Sequence, residues 1–308
     1  MTASAPETPP LDAFRGDRVY LGADHARNER RTWIAVGVSL ATLTAQFVGG
    51  LAFNSMALVA NALHMTAHVA ALAVAALAYA VARRYADDPR FAFGTGKVGY
   101  LAGFANAAVL AVSAVLIAVE SGRRLLAPQD VHYDGALGLA GVALAVNIFC
   151  MWLLRPARSH AHDRDGDLNL SAAHLHMAAD VAASVLAIIG LGAGRLLGWD
   201  QADAVAGLAG AALVAHFAWR LLSRAGAVLL DMNPSAELTA EIRRRLETED
   251  ARVIDLHLWR LGPGHHAAVV VVAGEAALRA ETCRARLAGL PGLSHVTVET
   301  RIAGPDSR

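Results

Sequence analysis

The chain is short of cysteine, of aromatic residues and of net charge, and each shortage closes a route. Only Cys150 and Cys283 occur in 308 residues, and aromatics make up 6%. The two thiols lie far apart, so they suggest neither a disulfide framework nor a CxxC metal site and read as buried structural cysteines. Lysine plus arginine and aspartate plus glutamate number 27 each, for a formal net charge of zero. That balance gives no reason to expect a nucleic-acid partner. The metalloprotease signature His-Glu-x-x-His is absent, and so is a Gly-rich phosphate loop of the Walker kind. A di-iron carboxylate bundle would need several Glu residues with Glu-x-x-His spacing, but the apolar runs contain no Glu in their interiors. Catalysis is not expected. Nor does the stretch rich in Pro, Asp and Arg before Thr32 have the pattern of a cleaved signal peptide.

Charge is also missing locally. The hydrophobic fraction is 55%, and the excess lies in uncharged runs at Thr32–Phe53, Met56–Ala82, Gly99–Val119, Gly135–Leu154, Leu168–Gly194 and Ala204–Trp219. Asp180 alone interrupts the fifth. Each approaches or exceeds the roughly 20 residues that cross a bilayer as a helix. The expected fold class is an α-helical membrane protein with six transmembrane helices. Residues 1–31 form an N-terminal tail, 32–223 the six-helix domain and 224–308 a C-terminal domain.

Basic residues mark alternate connections. Arg15, Arg18, Arg27, Arg30 and Arg31 precede the first run, Arg83, Arg84, Arg90 and Lys97 follow the second, and Arg155, Arg158 and Arg164 follow the fourth. The positive-inside rule then places both termini in the cytoplasm, in an integral protein of the plasma (bacterial inner) membrane. After about Arg224 the texture becomes that of a soluble domain. Asn233-Pro234-Ser235 is a helix start, Val253–Leu261 and Ala267–Ala273 alternate as strands around Gly262-Pro263-Gly264, and Glu275–Leu290 is helical. His295–Ile302 is a third strand. The order αββαβ predicts a small cytoplasmic ferredoxin-like α+β domain with an antiparallel-paired sheet.

Within the apolar runs the polar residues stand out. His64 and His68 are four apart, as are His176 and Asp180, so each pair shares a helix face one turn apart. An ionisable group at membrane depth costs several kcal/mol unless paired or ligated, which makes Asp180 the residue that most needs a partner. Three imidazoles and a carboxylate complete a tetrahedral transition-metal shell if the two segments meet. His174 is rotated about 200° from His176 and reads as a packing residue. His216 is a lone imidazole, and Gln46, Asn106 and Asn147 read as interhelical hydrogen bonders.

The segment Ser55-Met56-Ala57-Leu58-Val59-Ala60-Asn61-Ala62-Leu63-His64 and the stretch Asn169-Leu170…His176-x-x-x-Asp180 resemble the cation diffusion facilitator family. So do Asp255-Leu256-His257-Leu258-Trp259 and Gly262-Pro263-Gly264-His265 near the C-terminus. The resemblance implies a homodimeric divalent-metal/proton antiporter whose transport site takes two residues from helix two and two from helix five: His64, His68, His176 and Asp180. Zinc members usually read His-x-x-x-Asp on helix two. Here the pattern is His-x-x-x-His, and with Asn28-Glu29-Arg30-Arg31-Thr32-Trp33 it resembles a cobalt and nickel efflux branch. Cobalt is thus the expected cargo, with nickel next and zinc or cadmium as the alternative; imidazole-rich shells disfavour manganese. No prosthetic group is expected. The partners implied are metal ions, protons, membrane lipid and a second copy of the chain. His257, His265 and His295 are candidate ligands of a regulatory site in the soluble domain, and His160 and His162 of a weak collecting site in a loop. From another class, a membrane metal sensor would carry the same ligands without transport.

Overall fold

The computed structural model describes residues 19–52, 56–127, 133–156, 167–199, 201–274 and 279–302. The chain divides into two compact units, one made of Gly22–Arg84 and Lys97–Met232 and the other of Met1–Leu21, Tyr85–Gly96 and Asn233–Arg308.

The first unit is wholly helical. Its six helices are α1 (His25–Ala52), α2 (Met56–Arg84), α3 (Val98–Leu126), α4 (Tyr133–Leu153), α5 (Leu168–Leu197) and α6 (Ala202–Leu229). Most of these helices outrun the uncharged stretches that announce them. α3 carries Glu120, Arg123 and Arg124 in its last turns, and α6 carries Arg220 and Arg224. Arg and Glu are good helix formers, so charge marks the end of an apolar stretch and not the end of a helix. Among the described residues five helices are long and apolar enough to cross a membrane: α1, α3, α4, α5 and α6.

α5 has both ends defined by its own residues. The Asp167 carboxylate caps it by accepting from the Leu170 N–H (3.1 Å), and Gly198 closes it in the left-handed conformation at φ 65°. Small residues let the helices approach, as expected where lipid supplies no hydrophobic drive between them. Gly190 is an instance: a Cβ there would lie 2.8 Å from the Ala206 Cβ. One buried cluster joins Ala35 of α1, Leu72 and Ala75 of α2, Cys150 of α4, and Leu170, Ala173 and Met177 of α5.

The second unit has the order α7 (Ala236–Leu246), β1 (Ala251–Gly262), β2 (His265–Gly274), α8 (Ala280–Leu287) and β3 (Leu293–Ile302). Ser235 caps α7 through the Leu238 N–H. β1 and β2 form an antiparallel hairpin across Pro263-Gly264, with Gly264 at φ 75°. The wholly antiparallel sheet expected from the sequence is not what forms. β3 pairs parallel to β2, in the order β1-β2-β3. α8 carries the chain back to the starting end of β2, and a strand entered through such a crossover must run parallel. Ile242, Leu246, Val270, Val272, Cys283 and Leu287 fill the space between helices and sheet. The Tyr85–Gly96 segment, which follows α2 in sequence, packs on this sheet. Phe93 meets Trp259 and His295 edge-on at 5.5 and 5.8 Å. A Cβ on Gly96 would stand 2.3 Å from the Leu261 carbonyl oxygen and 2.8 Å from that of Tyr20. Only glycine allows so close a backbone approach.

Candidate metal centre

α5 presents a polar stripe, and α2 a single described histidine, on mostly alanine surfaces. On α5, Asn169, His176 and Asp180 recur at seven and four residues, which keeps them on one face. On α2 the face carrying His68 continues through Ala71 and Ala75. Two amides hold α2 in place beside that histidine. The buried Asn169 donates its Nδ2 to the Ala75 carbonyl (2.8 Å), and the buried Asn106 of α3 donates to the Ala71 carbonyl (3.1 Å). Asn106 therefore bonds between helices, as its position in the sequence led us to expect.

Beyond these amide bonds the two faces meet at His68, His176 and Asp180. Asp180 Oδ2 lies 2.9 Å from His68 Nδ1 and 3.6 Å from His176 Nε2. The two ring nitrogens are 3.3 Å apart, with the imidazoles edge to face. Among the described residues this is the one group of three or more ligating side chains within mutual reach. A tetrahedral metal with bonds of about 2.0–2.1 Å separates its ligand atoms by about 3.3 Å. The three measured separations bracket that value, so the side chains outline one face of a coordination tetrahedron. His176 is buried and the other two nearly so, with side chains 13% (His68) and 14% (Asp180) exposed. Borderline nitrogen and oxygen donors in this mixture suit zinc, cobalt and nickel better than magnesium or calcium.

His64 lies on α2 one turn before His68, but its side chain falls outside the described residues. His160 and His162 lie outside them altogether. His174 turns away from the cluster, its Nδ1 3.0 Å from the Met151 carbonyl of α4. His216 is exposed beside Phe217.

The trio of the second unit is not brought together. His257 pairs in register with Val269, four residues along β2 from His265, so the two are about 13 Å apart along the strand. His257 instead meets Asp255 (2.9 Å), His265 meets Ser294 (2.7 Å) and His295 faces the Phe93 ring.

Sequence reasoning passed over a second polar knot. The Asp167 carboxylate that caps α5 also accepts from Asn28 Nδ2 of α1 (2.9 Å) and from the Tyr79 hydroxyl of α2. His25 Nε2 lies 3.1 Å from the Tyr79 carbonyl, and Arg83 grips Glu29 through two 3.0 Å bonds. This knot ties α1, α2 and α5 at one end of the bundle. The position of Asp167 directly before an uncharged run was a signal for it, as an N-cap.

Long apolar helices with a nitrogen and oxygen ligand cluster between two of them are the build of a cation-handling membrane protein. Comparison with known proteins narrows that class. Residues 32–230 match the family model described as the cation efflux transmembrane domain. The chain belongs to the cation diffusion facilitator family. It is 35% identical to the zinc transporter ZitB of Escherichia coli over 238 residues, covering 76% of this chain and 74% of that one. It is 31% identical to the metal cation efflux system protein CzcD of Cupriavidus metallidurans over 295 residues, covering 92% and 91%. A Bacillus velezensis protein named cadmium, cobalt and zinc/H(+)-K(+) antiporter is 28% identical over 248 residues, covering 79% and 78%.

Proposed function

We propose that the protein exports a divalent transition-metal ion from the cytoplasm in exchange for protons, through a site made of His64, His68, His176 and Asp180. In this reading all six long helices span the bilayer, both termini are cytoplasmic and the chain works as a homodimer. The observation that carries the proposal is the convergence of His68, His176 and Asp180 on a triangle of metal-ligand size between two apolar helices. Metal needs neutral imidazoles and an ionised carboxylate, so loading releases protons and unloading takes them back. Imidazole ordinarily titrates near pH 6.5, where protons compete with metal for the same nitrogens. Rocking of helices about a site in mid-membrane gives access to each side in turn.

Zinc leads the proposed cargo, followed by cadmium and cobalt. The names of the relatives support that order, and they move zinc ahead of the cobalt and nickel expected from the His-x-x-x-His pattern. The case for cobalt rests on His68: with three imidazoles and one carboxylate a divalent ion leaves the site at +1, whereas two of each would neutralise it. Metal uptake into everted vesicles under an imposed pH gradient tests the proposal. Wild type should accumulate zinc and dissipate the gradient, and Asp180→Ala should do neither. Metal binding with no metal-dependent proton flux would replace the exporter with a membrane sensor.

A further inference from the structure

A pocket of about 330 Å³ opens where α1 begins and α4 ends, lined by Arg27, Arg31, Trp152, Leu153, Arg155 and Pro156. Arg27 and Arg31 are one helical turn apart on α1, and Arg31 reaches over to the Arg155 carbonyl at 3.4 Å. Asp24 takes one edge of Arg27 at 2.7 Å. Among the described residues, three guanidinium groups line the pocket and one carboxylate, Asp24, stands against them, a net positive charge of two.

Arg83 at the end of α2 is held by Glu29, and Arg124 at the end of α3 by Glu120 with Asp203 nearby. Among the described residues neither Arg31 nor Arg155 meets a carboxylate within 4 Å. The surface beside the pocket is apolar and open. Trp152 is 61% exposed, its ring 6.1 Å from that of the exposed Phe149, and Ile34 of α1 is exposed one turn beyond Arg31. A cationic head site beside a hydrophobic wall matches an amphiphile with an anionic head.

We infer that the α1/α4 pocket binds the phosphodiester head of an anionic phospholipid, with the acyl chains lying along Ile34, Phe149 and Trp152. The inference rests on the helical unit lying in a bilayer, as its family does, and not on the transport cycle. Guanidinium forks pair in bidentate fashion with phosphate oxygens, and an exposed indole suits the headgroup level of a membrane. Basic pockets between membrane helices take anionic headgroups.

The test uses the full-length protein in neutral detergent, titrated with phosphatidylglycerol, phosphatidylcholine or inorganic phosphate at matched ionic strength. Thermal unfolding and native mass spectrometry are the readouts. Phosphatidylglycerol should raise the melting temperature and remain bound at one molecule per chain, while phosphatidylcholine and phosphate should do neither. Removing an arginine should weaken binding on the order of fivefold, so Arg27→Gln/Arg31→Gln/Arg155→Gln should weaken it about a hundredfold. Arg220→Gln/Arg224→Gln on α6 removes two charges away from the pocket and should leave binding intact. If the triple variant does not fold, Arg155→Gln, which lies beyond the end of α4, carries the comparison. Equal binding in wild type and pocket variants overturns the inference, and so does an equal effect of inorganic phosphate, which would make this a soluble-anion site. Either failure with metal uptake unchanged leaves the transport reading standing.

Discussion

Asp180→Asn gives the sharpest test of the metal centre, because it keeps the size of the side chain and removes only its charge. In the wild type the Asp180 oxygen stands 2.9 Å from His68 and 3.6 Å from His176, so one carboxylate reaches both imidazoles. Disturbing a partner that only orients a ligand costs 10–100-fold in metal affinity, so loss of an anionic ligand should cost about 100-fold or more. That is about 2.7 kcal/mol. The same figure can be read as stability. At a metal concentration 100 times the wild-type Kd, the metal stabilises the folded protein by about 2.7 kcal/mol. At that concentration a variant bound 100-fold more weakly gains only about 0.4 kcal/mol. The assay is thermal unfolding of purified protein across a zinc titration, with and without chelator. The variant should melt normally in chelator and lose nearly all of the zinc-dependent rise. An undiminished rise would show that Asp180 is not a ligand, whatever its distance from the histidines.

Three further outcomes are expected. His68→Asp should neutralise the loaded site and raise the zinc-to-cobalt transport ratio on the order of tenfold, about 1.4 kcal/mol; competition uptake in vesicles measures it, and an unchanged ratio would refute the charge argument. Asn169→Ala removes the 2.8 Å bond to the Ala75 carbonyl and should destabilise the metal-free protein by about 1–2 kcal/mol while weakening zinc binding. Unchanged melting and affinity together would show that this amide does not set the spacing of α2 and α5. Gly96→Ala must displace backbone around the Leu261 and Tyr20 carbonyls, at a cost of about 1–3 kcal/mol. Hydrogen exchange should speed up at residues 260–262, and unaltered protection would contradict the close approach.

The helix-period spacing of His176 and Asp180, and of His64 and His68, could be read from the chain because a residue four along always returns to the same face. Uncharged runs likewise announced the long helices, since backbone in lipid must bond to itself. The capping Ser235 and the turn at Pro263-Gly264 acted through neighbours in sequence. Each of these signals is local. The meeting of His68 with His176 is not: 108 residues separate them, and their approach depends on alanine-lined packing and on the amide bonds of Asn106 and Asn169. The knot at Asp167 draws on three helices: the local pattern marks Asp167 as a cap but not its partners Asn28 and Tyr79. The parallel direction of β3 follows from where α8 leaves the chain, and the register of β1 on β2 keeps His257 away from His265. The amino-acid order alone determined which side chains could hold a metal and which helix face each occupies. Tertiary packing decided which faces meet, because that choice depends on the summed contacts of whole helices and strands, which no local pattern contains.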